Sequence, residues 1–320
     1  MASALALNLA RHKRPVHLYC IEPDVEEDVR MNQCNTKYLA GHRFPENVLA
    51  SPDLSMVLSG ATDLFIAVPS FAVMQVMHKV QPYLTSRVKS ISSITKGLDP
   101  KTLHPLIIQE IEVLPASLKS RVCTLGGPAI AREMAAGSPT GFVVAGTSPA
   151  TIKRVKALLE TSTVKCATSK DVYGVGLASA LKNPYAIAIG ICDGMAFPTN
   201  AKAMVLAIAI GEMKHIITRA GGHIDTATGL AGLGDLIVTS MSPHGRNRTY
   251  GERLVHAKSK KPEDLGLGTV EGISATEQSV KLARRLRINT PLLDAIDRCL
   301  RARQHFARPF ENYLTHLQLP

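Results

Sequence analysis

From Val16 to about Thr168 the chain alternates short apolar runs with helical patterns, and after about Asp171 those short runs stop. The runs lie at residues 16–20, 64–68, 88–94, 122–125, 141–145 and 164–168. Between them, helical spacing marks 71–83, 103–113, 130–136 and 150–159, the last opened by Ser148 and Pro149. Such alternation signals stacked βαβ units, because a parallel strand needs a crossover before its neighbour can pair with it. Beyond it come long helical patterns at 172–191 and 200–220, then shorter ones at 248–257, 273–286 and 292–301. The expected class is therefore α/β: a Rossmann-like doubly wound domain over residues 1–170, followed by an all-helical domain over 171–320.

The opening departs from that pattern. A dinucleotide fold begins with a strand, a Gly-x-Gly-x-x-Gly turn and a helix. Here a helix-like stretch, 3–10, comes directly after the initial Met, so the first strand and the glycine-rich turn are missing. With Ala2 in the place of the third glycine, Glu22 falls about 20 residues on, where an acid meets the ribose hydroxyl. A strand-ending Glu before Pro23 is also commonly just solvated. The nearest internal match, Gly174-Val175-Gly176-Leu177-Ala178-Ser179, opens the helical half and reads as close helix packing.

Composition narrows the partners. With 45% hydrophobic and 20% charged residues the chain is globular rather than disordered. Its richest apolar stretch, 203–210, stops at Gly211 and Glu212, short of the roughly 18 residues of a membrane span. Thirty-seven Lys and Arg against 26 Asp and Glu give a net charge of +11, which favours anionic partners. Aromatic residues make up 4% and Trp is absent, so the means of stacking on bases is lacking, and small phosphorylated metabolites fit better than nucleic acid.

The six cysteines form no Cys-x-x-Cys pair and none lies near a His at metal-ligand spacing; they read as reduced thiols of a cytoplasmic protein without a metal site. Arg11, Lys13 and Arg14 come after the apolar first residues, the reverse of a secretory signal, while the lack of acids before Glu22 leaves a transit peptide as the alternative.

Five segments can carry chemistry. Ser93-Ile94-Thr95-Lys96-Gly97 ends an apolar run, where open α/β sheets place ligands, so Lys96 is an anion or carbonyl contact or a solvated lysine beside a turn. Leu125-Gly126-Gly127-Pro128-Ala129 would let a ligand approach the backbone, or simply turn tightly. Lys182 and Asn183 interrupt an apolar run ahead of Pro184. An ammonium buried there is costly unless paired or working, and burial beside other cations lowers its pKa toward values useful for proton transfer; otherwise its stem carries it to the surface. Asp235, in Gly229-Leu230-Ala231-Gly232-Leu233-Gly234-Asp235-Leu236, would orient a lysine, accept a substrate hydroxyl or cap the adjoining segment. Gly245-Arg246-Asn247-Arg248 sets two guanidiniums and an amide ahead of a helix, which suits phosphate capture. The basic groups 258–261 and 284–287 read as solvated faces.

Together and in this order, these segments resemble the NAD(P)-dependent glycerol-3-phosphate dehydrogenases, most closely the bacterial branch, from about Ser3 to beyond Leu300. The resemblance rests on Val68-Pro69-Ser70, Thr95-Lys96-Gly97, Gly126-Gly127-Pro128, Leu181-Lys182-Asn183, Cys192-Asp193-Gly194, Ala231-Gly232-Leu233-Gly234-Asp235, Arg246-Asn247-Arg248 and Val270-Glu271-Gly272. It implies reduction of dihydroxyacetone phosphate to sn-glycerol 3-phosphate for phospholipid synthesis, with NAD or NADP, in a cytoplasmic homodimer. Lys182 would be the general acid/base at the C2 oxygen. Substrate contacts would come from Lys96, Gly127, Lys182, Asp235, Gly245, Arg246 and Asn247, and cofactor contacts from Lys96, Ala131, Arg246, Thr269 and Glu271. The chain departs from the family at Ala129 (usually Ser or Thr), Gly245 (usually Ser), Pro184 (usually aliphatic) and Phe197-Pro198 (usually glycine-rich). For the missing turn, the expectation is a natural chain that begins upstream. The alternatives are a degenerate, non-catalytic phosphate-metabolite binder and a related dehydrogenase for another 2-hydroxy compound.

Overall fold

A computed structural model describes residues 1–243 and 245–318. The chain forms two compact units, one made of Met1–Thr95 with Ile107–Val172 and the other of Lys96–Leu106 with the residues from Tyr173 onward.

The first unit runs α1 (Ala2–Ala10), β1 (Val16–Tyr19), α2 (Pro23–Asn32), α3 (Thr36–Leu39), β2 (Val48–Ser51), α4 (Leu54–Leu58), β3 (Asp63–Ile66), α5 (Val73–Val80) and β4 (Ser90–Ser93). It continues with α6 (Leu106–Glu112), α7 (Ala116–Lys119), β5 (Val122–Gly126), α8 (Ala131–Ala135), β6 (Thr140–Gly146), α9 (Pro149–Leu159) and β7 (Val164–Ser169). Strands β3 to β7 pair in sequence order, parallel except for antiparallel β5 and β6, while β1 and β2 pair separately and in parallel. Among the described residues no strand joins the two sheets, and a doubly wound order places one there, between β1 and β3.

Helix α1, apolar around most of its surface, serves both sheets. Ala4 and Leu5 pack with Leu125, Phe142 and Val144 of the larger sheet, whereas Ala6 and Ala10 pack with Val48 of the smaller sheet, Val25 and Val29 of α2, and Phe44. Buried Asn8 donates to the Leu159 carbonyl at 2.7 Å. Strand β4 is unusual for a central strand in carrying three buried serines. Two of their hydroxyls have acidic partners: Ser90 Oγ donates to Asp63 at 2.6 Å, and Ser93 Oγ to buried Glu110 at 3.0 Å. Asp63 in turn takes two hydrogen bonds from Arg154 on α9, each 2.6 Å.

The second unit is built around α10 (Val172–Gly194), wrapped by α11 (Thr199–Arg219), α12 (Ile224–Thr228), α13 (Asp235–Met241), α14 (Arg246–Leu254), α15 (Glu271–Arg285), α16 (Pro291–Arg301) and α17 (Arg308–Thr315). Helix α10 is long and apolar enough to cross a membrane, yet its most apolar window is entirely buried in the protein, so it is a core helix. It continues through Pro184 rather than ending there. Gly190 and Gly194 let α14 come close: a Cβ on Gly190 would lie 1.9 Å from the Arg248 carbonyl oxygen. Gly251 returns the contact, since a Cβ there would sit 2.1 Å from the Ile187 oxygen. Thr290 gives α16 no side-chain cap; buried Glu212 of α11 takes the N–H groups of Leu292 and Leu293 at 2.8 and 3.1 Å, and the Tyr185 hydroxyl at 3.0 Å. The strap Lys96–Leu106 belongs to this unit through Leu98 and Leu103, which enter its core, and through Arg285, which donates to the Thr102 carbonyl at 2.7 Å.

Candidate active site

Lys182 lies on the buried middle of α10 and is 5% exposed. The Gly-rich segment before α13 determines what faces it. Gly232 approaches the Ala227 carbonyl so closely that a Cβ would be 2.0 Å from that oxygen, and the chain then enters α13 with Asp235 as its first residue. A helix start favours a carboxylate. Asp235, 1% exposed, accepts from Lys182 Nζ through Oδ1 and from Lys96 Nζ through Oδ2, the latter at 2.7 Å. Thr239, one turn further along α13, accepts from Lys182 Nζ at 2.7 Å.

Two ammoniums therefore share one buried carboxylate. Burial favours neutral Lys182, and the nearby Lys96 charge adds to that; although Asp235 opposes both, the Lys182 pKa is lowered to about 7. Burial also works against the charge on Lys96, but Asp235 outweighs it and Glu271 helps, so its pKa lies above the ordinary lysine value. For Asp235, burial alone would favour the acid, and the two lysines overcome it and hold the carboxyl below its usual range. The cluster holds one lysine pushed above its ordinary pKa and one pulled well below it, the separation that divides electrostatic work from acid/base work.

A second polar clip adjoins the first along α10. Asn247 Nδ2 donates to Asn183 Oδ1 at 3.0 Å, and Asn247 Oδ1 accepts from Gly272 N–H at 2.9 Å. The Asn247 side chain thus fixes the starts of α14 and α15 against α10. Of the two guanidiniums read from the sequence, Arg248 is committed to Asp193 at 2.7 Å and to Glu252 at 3.4 Å. Arg246 is exposed and has no ion-pair partner among the described residues. Gly245 occupies the cap position of α14 without a side-chain cap, which leaves first-turn N–H groups available to an anion. Glu271 opens α15 half-buried, and Thr269 is exposed just before it.

Gly127 and Ala131 belong to the other unit. Gly127, at φ +114°, turns the chain after β5 where a Cβ would meet the Gly141 oxygen at 2.7 Å, so this turn admits glycine alone; Ala131 begins α8. Thr239 and the Asn183–Asn247–Gly272 linkage are the parts of the site that the sequence reading missed or did not join. The four-residue spacing from Asp235 was the only signal for Thr239.

The comparisons with known proteins agree over most of the chain. The family model of the NAD-dependent glycerol-3-phosphate dehydrogenase N-terminus matches residues 2–152, and that of the C-terminus matches 171–310. A glycerol-3-phosphate dehydrogenase (NAD(P)+) of Coxiella burnetii is 34% identical over 301 residues, 93% of this chain and 89% of that protein. One of Anaeromyxobacter dehalogenans is 35% identical over 299 residues, 93% of this chain and 90% of its own length. The crystal structure of glycerol-3-phosphate dehydrogenase from Coxiella burnetii superposes with a TM-score of 0.89 at 32% identity, covering 98% of this chain and 95% of that one. With both halves matched and relatives above 30% identity over nearly its full length, the chain belongs to the NAD-dependent glycerol-3-phosphate dehydrogenase family.

Proposed function

We propose that this chain is an oxidoreductase that interconverts dihydroxyacetone phosphate and sn-glycerol 3-phosphate using a nicotinamide dinucleotide. The observation that carries the reading is Lys182: a lysine buried within an apolar helix and held by Asp235 and Thr239, its pKa lowered by that burial. In reduction Lys182 donates its proton to the oxygen at substrate C2, and in oxidation it takes that proton back. Lys96, which stays charged, polarises the same oxygen electrostatically, and Asp235 orients both ammoniums. Arg246 and the open first turn of α14, with the Asn247 backbone N–H, receive the substrate phosphate.

The residues present fit a dinucleotide. Glu22 follows β1 at the cap of α2, the glycine turn at Gly127 follows β5, and the first turn of α1 has no side-chain cap. Within the first unit, Glu22 at the cap of α2 and Ala131 at the start of α8 are the groups that would hold it. When bound, the nicotinamide supplies or accepts the hydride at C2.

The resemblance supports a cytoplasmic homodimer that feeds glycerophospholipid synthesis. All six cysteines are free, in keeping with a reducing compartment. The test is Lys182→Met, which retains the volume and removes the proton. Turnover of dihydroxyacetone phosphate should fall by about 10²–10⁴-fold with the substrate KM within a few-fold, as expected for loss of a general acid. Near-normal turnover in a folded variant would remove Lys182 from the role.

A further inference from the structure

Glu22 lies just past the carboxyl end of β1, at the cap position of α2, and its carboxylate is held rather than free. Lys37 Nζ donates to Oε2 at 2.5 Å, and the Tyr38 hydroxyl reaches Oε1 and Oε2 at 2.9 and 3.0 Å. Lys37 also bonds Asp24 at 2.9 Å. The clamp is anchored from beneath. Asn35 Oδ1 caps α3 by accepting Tyr38 N–H at 3.1 Å, its Nδ2 donates to buried Ser3 at 2.9 Å, and Leu39 is 2% exposed in the core. The hydrogen bond from Lys37, then that from Tyr38, holds the Glu22 carboxyl below its usual range, so it is charged at any working pH. With 40% of its side chain exposed, it still presents acceptor capacity to solvent.

A group that reads the 2′-phosphate of NADP would have to be cationic, and the cations here are misplaced for it. Arg11, Lys13 and Arg14 precede β1, at its amino end, and a strand of four residues separates them from Glu22 by about 13 Å. Arg11 is turned toward Thr163, at 3.4 Å. The exposed neighbours of Glu22 in the chain, Ile21, Pro23 and Asp24, carry no positive charge, and Lys37 is already occupied by Glu22 and Asp24.

Resting on the dehydrogenase reading above, we propose that Glu22 accepts from the adenosine ribose hydroxyls, that Lys37 and Tyr38 are its positioning residues, and that the chain therefore prefers NAD(H) to NADP(H). A 2′-phosphate would face Glu22 and Asp24 with like charge.

The test measures calorimetric binding of ADP-ribose and 2′-phospho-ADP-ribose to the full chain, beside KM for NADH and NADPH. ADP-ribose should bind tighter by about tenfold or more, because like charges juxtaposed disfavour the phosphorylated probe. Glu22→Gln should bring the two probes to within about threefold of each other, whereas Lys37→Met should widen the gap by removing the ammonium that bonds the carboxylate, a divergence that a merely structural role would not produce. Equal binding, preference for the phosphorylated probe, or an unchanged ratio in Glu22→Gln would overturn the assignment while turnover with either cofactor kept the dehydrogenase reading. Failure of both probes to bind, with no turnover from either cofactor, would overturn both.

Discussion

Burial and the Lys96 charge pull the Lys182 pKa down against the shared Asp235 carboxylate, and the rate should show it. With Lys182 near 7, its ammonium predominates below that pH and the free amine above it. Reduction needs the ammonium, so its rate should fall as pH rises through about 7; oxidation needs the amine and should fall as pH drops through the same region. Initial rates in both directions across this range check the sign, and parallel profiles would exclude Lys182 as the titrating group. At this scale the sequence was informative where a residue contradicted its surroundings: an ammonium within an apolar helix, an acid within a glycine loop. It gave no sign that Thr239 meets Lys182 or that the Asn247 side chain meets Asn183, because those partners lie 57 and 64 residues away in the chain.

The crossing of α10 and α14 is where an element's packing reaches the substrate. Gly190→Ala would place a methyl 1.9 Å from the Arg248 carbonyl oxygen, so one of the helices must move. Overpacking of this kind costs about 1–3 kcal/mol or more. Because α14 begins with Arg246, the same shift should raise the KM for the phosphorylated substrate several-fold while kcat changes less. Denaturant midpoints and steady-state kinetics on one preparation test both, and a variant unchanged in each would show that the crossing yields freely. Elements with strong apolar periodicity were legible, including α10, α11 and the five strands of the larger sheet. Strand β2, only four residues and half-exposed, was not, nor was α2, where Val25 and Val29 are the only buried residues in ten. The membership of Lys96–Leu106 in the helical unit depends on Leu98 and Leu103 meeting a distant core, which no local window contains.

The molecule as a whole carries a net charge of +11 and is proposed to act on a phosphorylated metabolite with a dinucleotide. Capture should therefore be steered. Raising ionic strength from about 0.05 to 0.5 M shortens the Debye length from roughly 14 to 4 Å and should lower kcat/KM several-fold with kcat little altered. A flat salt response in stopped-flow or steady-state assays would mean that the excess charge is not used in capture. Helix α10 has a further consequence. Its side chains are enclosed by the other helices of its unit, so its amide hydrogens have no route to solvent through fraying of one neighbour. They exchange only when the helical unit opens cooperatively, and Lys182 thus sits in the part of that unit that is slowest to open.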